Sequence, residues 1–249
     1  MRHADQIDRL TVESKSRTDF VSEVDRQAEQ EIIRIVHAAY PGHAIFAEES
    51  GRSGDDETVW IIDPLDGTTN YLHGFPQYAV SIGVQTAGRL EHAVVFDPLR
   101  DELFIASRGQ GTLLNDRRVR VSRTRQMHLA LLGTGFPYKD TRHLDEWIAV
   151  FRALMPLVSG IRRAGSAALD LAYVASGRLD GFWEIGLNPW DMAGGVLLIQ
   201  EAGGFVSDMD GQQRFLDNGH VLCGSQKVYE EMLLQIRKTL GAIPASVAP

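Results

Sequence analysis

The sequence predicts an α+β protein in which sheets and helices pack in layers, and three observations support this fold class. Between residues 79 and 121, strand-like segments follow one another with only turn residues between them, as in an antiparallel meander. A long amphipathic helix is predicted before this stretch. After His128, strand and helix patterns alternate to the end of the chain. This combination of segments favours layered α and β structure.

The chain has the size and composition of a protein with a large core. It has 249 residues, of which 44% are hydrophobic. No internal repeat is visible, and no interior stretch is rich enough in Gly, Ser or Pro to separate independent domains. We therefore expect a single domain over residues 1–249, with a flexible tail at residues 241–249.

The first half begins with a strand predicted at residues 10–14 and a helix at residues 22–39. Pro41-Gly42 ends the helix. Its apolar face carries Val24, Ala28, Ile32, Ile35 and Val36. Apolar strands are predicted at residues 44–47 and 59–62, and acidic residues follow each of them.

The turns of the meander and the elements after it complete the predicted order. Gly88, Pro98-Leu99-Arg100 and Gly109-Gln110-Gly111 separate the meander strands. After the meander we expect a strand ending at Thr134, helices near residues 144–155 and 166–176, a strand at 181–185, a helix at Trp190 and a last helix near 228–240.

Charge and cysteine content restrict the partners and the compartment. The net charge of -8 argues against nucleic acid as a partner, although a phosphorylated substrate remains compatible because bound cations can reverse the local field. Cys223 is the only cysteine, so no intrachain disulfide can form, which fits a reducing compartment. The first residues have no apolar signal core and no run is long enough to span a membrane, so we expect a cytoplasmic protein without a membrane partner.

Two aspartates mark the most informative stretch, W-I-I-D-P-L-D-G-T-T-N. Asp63 and Asp66 follow the strand predicted at residues 59–62, so their carboxylates should converge at its carboxyl end, where a hard cation such as Mg²⁺ finds oxygen ligands. Backbone N–H groups of the following Gly67 and Thr68 would face an anion at a helix start. A polar turn with a threonine N-cap is the structural alternative.

Further acids occur at two other predicted element ends. Glu48 and Glu49 end the strand at residues 44–47, where paired acids are costly unless a cation shares them. Asp191 follows Pro189 at a predicted helix start, where capping alone would also explain it. Small residues at 193–195 would let this helix start pack tightly against another surface or a ligand.

Five ordered motifs resemble the inositol monophosphatase family of magnesium-dependent, lithium-sensitive phosphatases. They are T-D-F-V-S-E-V-D at residues 18–25, A-E-E-S at 47–50, D-P-L-D-G-T-T-N-Y at 63–71, the segment from R-R-A-G-S to G-F-W-E at 162–184, and W-D-M-A-G-G at 190–195. The resemblance implies a five-layer αβαβα sandwich, with an antiparallel sheet in residues 1–125 and a mixed one in residues 126–240. Members usually carry a long helix before the equivalent of Leu10, whereas nine residues precede it here. Either the protein is naturally shortened or Met1 is not its natural start, and loss of the helix would expose apolar surface.

The resemblance also assigns metal ligands. Glu48, Asp63 and the Leu65 carbonyl would hold a first Mg²⁺, which activates the attacking water, and Asp63, Asp66 and Asp191 would hold a second, which stabilises the departing alcohol oxygen. It implies two or three Mg²⁺ ions per site, for which Mn²⁺ can substitute. Glu49 would act on the site from outside the ligand set.

Asp25 and Thr68 resemble the pair that orients the nucleophilic water, so the catalytic residues implied are Glu48, Asp25 and Thr68. Ser22-x-x-Asp25 also has the spacing of a capping box, and both roles remain open. Lys15 resembles a lysine near the metal region, with an exposed salt bridge as its alternative.

Substrate contacts implied by the resemblance come from several segments. The N–H groups of Gly67 and Thr68 would bind phosphate, Asp66 and Asp191 would face the substrate, and Gly165, Ser166, Ala167 and Glu184 would meet its hydroxyl groups. A turn with an N-cap serine explains Gly165-Ser166 equally well, and Glu184 could simply be solvated.

Together these features predict a Mg²⁺-dependent phosphomonoesterase, acting on myo-inositol 1-phosphate and working as a homodimer. Histidinol phosphate, fructose 1,6-bisphosphate and NADP are alternative substrates on related folds. A regulatory binding protein without catalysis is the alternative of another class, which the retention of every expected acid disfavours.

Overall fold

The computed structural model describes residues 12–16, 19–137 and 141–241. The strands are β1 (Val12–Ser16), β2 (Asp19–Ser22), β3 (Ala44–Ala47), β4 (Gly51–Ser53), β5 (Thr58–Asp66), β6 (Ala79–Thr86), β7 (Arg89–Asp97), β8 (Glu102–Ser107), β9 (Gly111–Leu114), β10 (Arg117–Val119), β11 (Leu131–Thr134), β12 (Gly160–Arg162), β13 (Gly181–Ile185), β14 (Phe205–Ser207) and β15 (His220–Gly224). The helices are α1 (Glu23–Ala39), α2 (Thr68–Leu72), α3 (Leu144–Leu154), α4 (Ala167–Ala175), α5 (Pro189–Glu201), α6 (Phe215–Asn218) and α7 (Gln226–Leu240).

Five layers build the molecule, as the sequence predicted. Helix α1 covers one face of a large sheet, whose other face packs on α4 and α5. The second sheet lies on the far side of these two helices, and α3 and α7 cover its outer face. The largest apolar cluster runs through the central helix layer and contacts both sheets. Among the helices described, none has the length and apolar character of a membrane span.

The large sheet has the order β10-β9-β8-β7-β6-β5-β3-β4. The meander from β6 to β10 is confirmed, but the expected antiparallel sheet in residues 1–125 is mixed, because β3 pairs parallel with β5. The chain reverses at β4, which pairs antiparallel with β3 on the sheet edge, and reverses again before it enters β5 on the other side of β3. Two reversals make β5 parallel to β3.

Strand β5 extends past residues 59–62, where the sequence predicted its end. Its pairing with β6 is irregular between Asp63 and Asp66. Pro64 has no N–H to contribute to the ladder, and proline inside a sheet is confined to edges and bulges. The bulge therefore lies between the two aspartates, which pair with Ser81 and Ala79 of β6 on either side of it.

The second sheet is mixed, with the order β12-β11-β13-β15-β14. Strands β12, β14 and β15 were not predicted, because two of them have only three residues and His220–Gly224 lacks an alternating pattern. Strand β11 is parallel to both β12 and β13. The tail predicted at residues 241–249 lies, apart from Gly241, outside the described residues, as do Leu10 and the side chains of Lys15 and Ser22.

Small residues at the start of α5 are confirmed as points of close approach. A Cβ atom on Gly83 would lie 2.8 Å from the Cβ of Ala193, and one on Gly194 would lie 2.8 Å from the hydroxyl of Ser81. On Gly195 it would lie 2.4 Å from the Cβ of Leu171. Helix α5 therefore packs directly on the large sheet and on α4. This packing brings Asp191, in the first turn of α5, close to the end of β5.

Candidate active site

A cleft of about 190 Å³ lies where β5, β13 and the first turns of α2, α4 and α5 meet. It is lined by all the site residues predicted from the sequence except Asp25, namely Glu48, Asp63, Leu65, Asp66, Gly67, Thr68, Gly165, Ser166, Ala167, Glu184 and Asp191. These residues come from both halves of the chain. The fold thus brings the separate motifs into one site.

Asp63 lies at the floor of the cleft and is almost fully buried, with 1% of its surface exposed. Its Oδ1 accepts a hydrogen bond of 2.9 Å from the N–H of Leu65, across Pro64. This local turn is a common use of aspartate and fixes the orientation of the carboxylate. Carboxylate oxygens of Asp63, Asp66 and Asp191 lie within 4.8 Å of one another.

Burial raises the pKa of Asp63 well above its ordinary range, and the negative charges of Glu48, Asp66 and Asp191 raise it further. Four acids in this arrangement repel one another unless a cation compensates them. The donors are carboxylate oxygens with no histidine or cysteine among them, which suits a hard divalent cation such as Mg²⁺ or Mn²⁺. The residues present therefore fit the metal that the motif predicts.

Asp66 links the two halves of the molecule. Its Oδ2 accepts hydrogen bonds from the Ser166 hydroxyl at 2.6 Å and from the N–H of Ala168 at 2.7 Å. Ser166 is also the N-cap of α4, because its hydroxyl accepts the N–H of Leu169. The capping alternative for Ser166 is therefore confirmed, and the same hydroxyl holds a carboxylate of the acid cluster.

Asp191 serves its helix and the acid cluster together. It lies in the first turn of α5, and its Oδ2 accepts the N–H of Asn188 at 2.6 Å. The capping alternative for Asp191 is thus confirmed, and the same carboxylate also belongs to the acid cluster. An aspartate at this position is oriented by its helix before any ligand binds.

The first turn of α2 borders the acid cluster. Gly67 has φ 94°, and a Cβ atom there would lie 2.8 Å from the Gln77 carbonyl oxygen, so glycine is required by conformation and by space. The side chain of Asn70 donates hydrogen bonds to the carbonyl oxygens of Gln77 at 2.7 Å and Ala164 at 3.0 Å. Asn70 therefore ties this turn to the loop before α4, a role that the sequence analysis missed.

Thr68 connects the turn to a buried acid. Its hydroxyl lies 3.0 Å from Asp25 Oδ1 and 3.0 Å from the Leu65 carbonyl oxygen. A hydroxyl has one hydrogen to donate, and a carboxylate is a stronger acceptor than a peptide carbonyl, so Asp25 should receive it. Asp25 is fully buried on α1, behind the wall of the cleft.

Glu48 follows β3 in a turn that a second buried acid holds. Both oxygens of Glu29 on α1 accept backbone N–H groups, from Glu49 at 2.8 Å and from Ser50 at 2.9 Å. Glu29 is 3% exposed. Glu29 was not predicted from the sequence, although an acid four residues after Asp25 on the buried face of a helix was a usable signal.

The far wall of the cleft is formed by Glu184 at the end of β13 and by the loop before α4, where Gly165 has φ 90°. Burial raises the pKa of Glu184 well above its ordinary range, while the positive charge of Arg163 lowers it. Glu184 is partly buried and lines the cleft, so it is less solvated than a residue on the open surface.

Two charged residues of this wall were not singled out from the sequence. Arg163 lines the cleft, and its guanidinium carbon lies 4.8 Å from the centre of the Phe136 ring. Asp170 on α4 is buried, and burial raises its pKa well above the ordinary range, with Asp66 adding to the effect. Both lie in the motif at residues 162–184, so their charge within an apolar segment was the available signal.

Comparison with known proteins places the chain in a family. The model of the inositol monophosphatase family matches residues 1–242. Among curated relatives, "Nus factor SuhB" of Pseudomonas aeruginosa is 52% identical over 245 residues, which cover 96% of this chain and 90% of that protein. "Inositol-1-monophosphatase" of Mesorhizobium japonicum is 46% identical over 239 residues, which cover 95% of this chain and 90% of that protein.

Among solved structures, the extragenic suppressor protein suhB from Bartonella henselae superposes with a TM-score of 0.93 and 41% identity, covering 96% of this chain and 93% of that chain. The extent of the family match and the identity to these relatives show that the chain belongs to the inositol monophosphatase family.

Proposed function

We propose that this protein is a phosphoric monoester hydrolase that requires Mg²⁺. The observation that carries the proposal is the convergence of Glu48, Asp63, Asp66 and Asp191 beside the first turn of α2. Such a cluster is costly without cations, and the adjacent turn offers N–H groups that a helix leaves unbonded. Cations and an anion can therefore be held side by side.

The residues that would hold Mg²⁺ are Glu48, Asp63, Asp66, Asp191 and the carbonyl group of Leu65. Two or three ions are expected, and Mn²⁺ should substitute. Bound there, the ions supply charge neutralisation for the phosphoryl group and a water of lowered pKa. The chain's own contribution is a fixed set of oxygen donors, oriented by the hydrogen bonds to Asp63, Asp66 and Asp191.

Asp25 and Thr68 are proposed to orient the attacking water. The hydrogen bond of 3.0 Å directs the hydroxyl hydrogen of Thr68 toward Asp25, which leaves the threonine oxygen able to accept a hydrogen from water. Asp25 lies in a buried position, where its charge acts on Thr68 with little screening by solvent.

The substrate is proposed to lie between α2 and the far wall. Phosphate oxygens would accept from the N–H groups of Gly67 and Thr68, and the alcohol half would extend toward Glu184 and the loop at Gly165–Ala167. A small polyol ester fits a cleft of about 190 Å³. We favour myo-inositol 1-phosphate, the class of substrate that the name of the Mesorhizobium japonicum relative states.

The test is phosphate release by the purified protein from myo-inositol 1-phosphate, histidinol phosphate, fructose 1,6-bisphosphate and NADP, each with Mg²⁺, with Mn²⁺ and with chelator. We expect release only with metal and fastest from the inositol ester. Full activity after exhaustive chelation would contradict the proposal. Inhibition by lithium is expected from the family, and unchanged activity at high lithium would count against this branch.

A second role, as a binding protein, is favoured by the relative named "Nus factor SuhB" at 52% identity. We propose that such a role would be independent of turnover. Replacing that protein in Pseudomonas aeruginosa with this chain, as wild type or as Asp191→Asn, and comparing growth would test it. Equal growth with both forms would support it. We further propose that the protein works as a homodimer in the cytoplasm, which sedimentation and cell fractionation would test.

A further inference from the structure

Strands β11 and β13 end side by side at the far wall of the cleft. They are parallel, and the last paired residues are Thr134 and Trp183. The residues that follow this pair are Gly135, directly after β11, and Glu184, within β13. Both line the cleft. The backbone of Gly135 thus lies beside the acid that faces the alcohol half of the proposed substrate.

The carboxylate of Glu184 occupies the space that a side chain at position 135 would need. A Cβ atom built on Gly135 would lie 1.9 Å from Glu184 Oε1, 2.0 Å from its Cδ and 2.3 Å from its Oε2. Gly135 does not have a positive φ, so its backbone conformation does not require glycine. Glycine is required at this position because the Glu184 carboxylate occupies the space that a side chain would need.

The residues on either side of Gly135, Thr134 and Phe136, are held by contacts with Trp147. The indole N–H of Trp147 donates to the Thr134 hydroxyl at 3.1 Å, and the Phe136 ring packs edge-on against Trp147 with ring centres 4.9 Å apart. Thr134 is 1% exposed. If a side chain were added at position 135, the flexible carboxylate of Glu184 would move before this corner did.

Arg163 adds a positive charge to the wall. Its guanidinium stacks over Phe136, and its positive charge acts on both Glu184 and Asp170. The positive charge of Arg163 thus opposes the negative charges of Asp170, Asp191 and Asp66, which also act on Glu184. An acceptor of this kind suits a neutral hydroxyl donor, whereas a second phosphate would be placed against the Glu184 carboxylate.

We propose that Gly135 is a positioning residue that seats Glu184, so that the discrimination between polyol phosphates and simple alkyl phosphates depends on the missing side chain at residue 135. The proposal rests on the phosphatase function proposed above. It adds that the absence of a side chain at residue 135 determines where the acceptor for the substrate hydroxyl lies. Specificity then depends on a residue that need not itself touch the substrate.

The test compares Gly135→Ala, Glu184→Ala, the double variant and Gly42→Ala, which adds the same methyl group at an exposed turn with open space around it. For each protein, kcat and KM are measured with myo-inositol 1-phosphate and with butyl phosphate. We expect Gly135→Ala to lower the ratio of the two kcat/KM values by about tenfold or more, the effect of losing a hydrogen bond to a charged group. Gly42→Ala should keep the wild-type ratio.

Glu184→Ala should lower the ratio by a similar factor, and adding Gly135→Ala to it should change the ratio little, because no carboxylate remains to be displaced. Equal losses with both substrates in Gly135→Ala would overturn the proposal, since they would indicate general damage to the site. So would additive losses in the double variant.

A crystal structure of Gly135→Ala separates this proposal from the phosphatase function. We expect the Glu184 carboxylate to have left the space beside residue 135, with Thr134 and Trp147 unmoved. A carboxylate in its original place would overturn the positioning role whatever the kinetics show. A wild-type protein that hydrolyses neither ester would overturn the phosphatase function, and the specificity role with it, while a displaced carboxylate would still establish the positioning.

Discussion

The hydroxyl of Thr68 lies 3.0 Å from Oδ1 of Asp25, a residue 43 positions away on α1 and fully buried. An acid in such a place has to be explained, because burying a carboxylate is unfavourable unless its partners compensate. Capping of α1 is one explanation and activation of Thr68 is the other. The two explanations predict different effects of substitutions at Asp25 and Thr68.

If Asp25 polarises Thr68, Asp25→Asn should lower turnover by about 10²-fold or more with little change in folding, because an amide does not take up the hydroxyl hydrogen as a carboxylate does. Thr68→Ala should give a loss of similar size, and the double variant should be scarcely worse than either single one. Steady-state kinetics and thermal unfolding measure both effects. If the losses of turnover in the two single variants add in the double variant, Asp25 acts only as a helix cap.

Asp66→Asn and Asp191→Asn should each lower turnover by about two orders of magnitude or more, because each removes a negative charge from the donor set while keeping its shape. Asp55→Asn, at an exposed position outside the cleft, is the matched control and should retain wild-type turnover. Rates at saturating Mg²⁺ are the measurement. A near-normal rate for either variant would remove that residue from the metal site.

Glu29→Gln should raise the Mg²⁺ concentration for half-maximal activity by about tenfold, a size typical of lost contacts to metal-binding groups. The carboxylate accepts two backbone N–H groups in the turn at Glu48, whereas an amide would set its NH₂ group against one of them. Glu31→Gln, on the exposed side of the same helix, is the control. An unchanged Mg²⁺ dependence would limit Glu29 to general stability.

The metal-free protein should show a pH dependence that originates at Asp63. Its folded-state pKa is raised well above the ordinary value of 3.8, so the fold favours the protonated form. The stability from this group is fully present below its unfolded-state pKa and is lost as the pH rises through its folded-state pKa. In EDTA, Asp63→Asn should therefore unfold at a higher temperature than wild type at pH 8.

The same comparison at pH 4 should show little difference, because the wild-type carboxyl is then protonated as well. Mg²⁺ should stabilise wild type at pH 8 much more than it stabilises the variant, since a ligand stabilises the state that binds it. If the difference in unfolding temperature between the two proteins does not vary with pH, repulsion within the acid cluster contributes little to stability.

Much of the site could be predicted from sequence because its key residues follow local rules. Asp63 and Asp66 lie in the last four residues of β5, and Asp191 follows a proline at a helix start, so backbone geometry fixes their approximate directions. Two structural alternatives also held, since Ser166 and Asp191 both interact with the ends of their helices. Capping is therefore compatible with the roles proposed for these two residues.

The residues that were missed act across the fold. Glu29 matters because α1 passes beside the turn at Glu48, and Gly135 matters because β11 ends beside β13. The buried helix face marks Glu29 as a candidate, but the sequence does not indicate which turn Glu29 contacts or which acid lies beside Gly135. Strands β14 and β15 were missed for a similar reason, because each is defined by a sheet partner rather than by its own pattern.

The hydrogen bonds from Ser166 and Ala168 to Asp66 join residues that are 100 and 102 positions apart. Contacts of such long range form late, since the loop they close is costly in entropy. Asp66 can reach its working orientation only after the loop before α4 has docked against the end of β5. During refolding, recovery of catalysis should therefore lag behind recovery of secondary structure, and enzymatic activity becomes a reporter for the docking of the two halves.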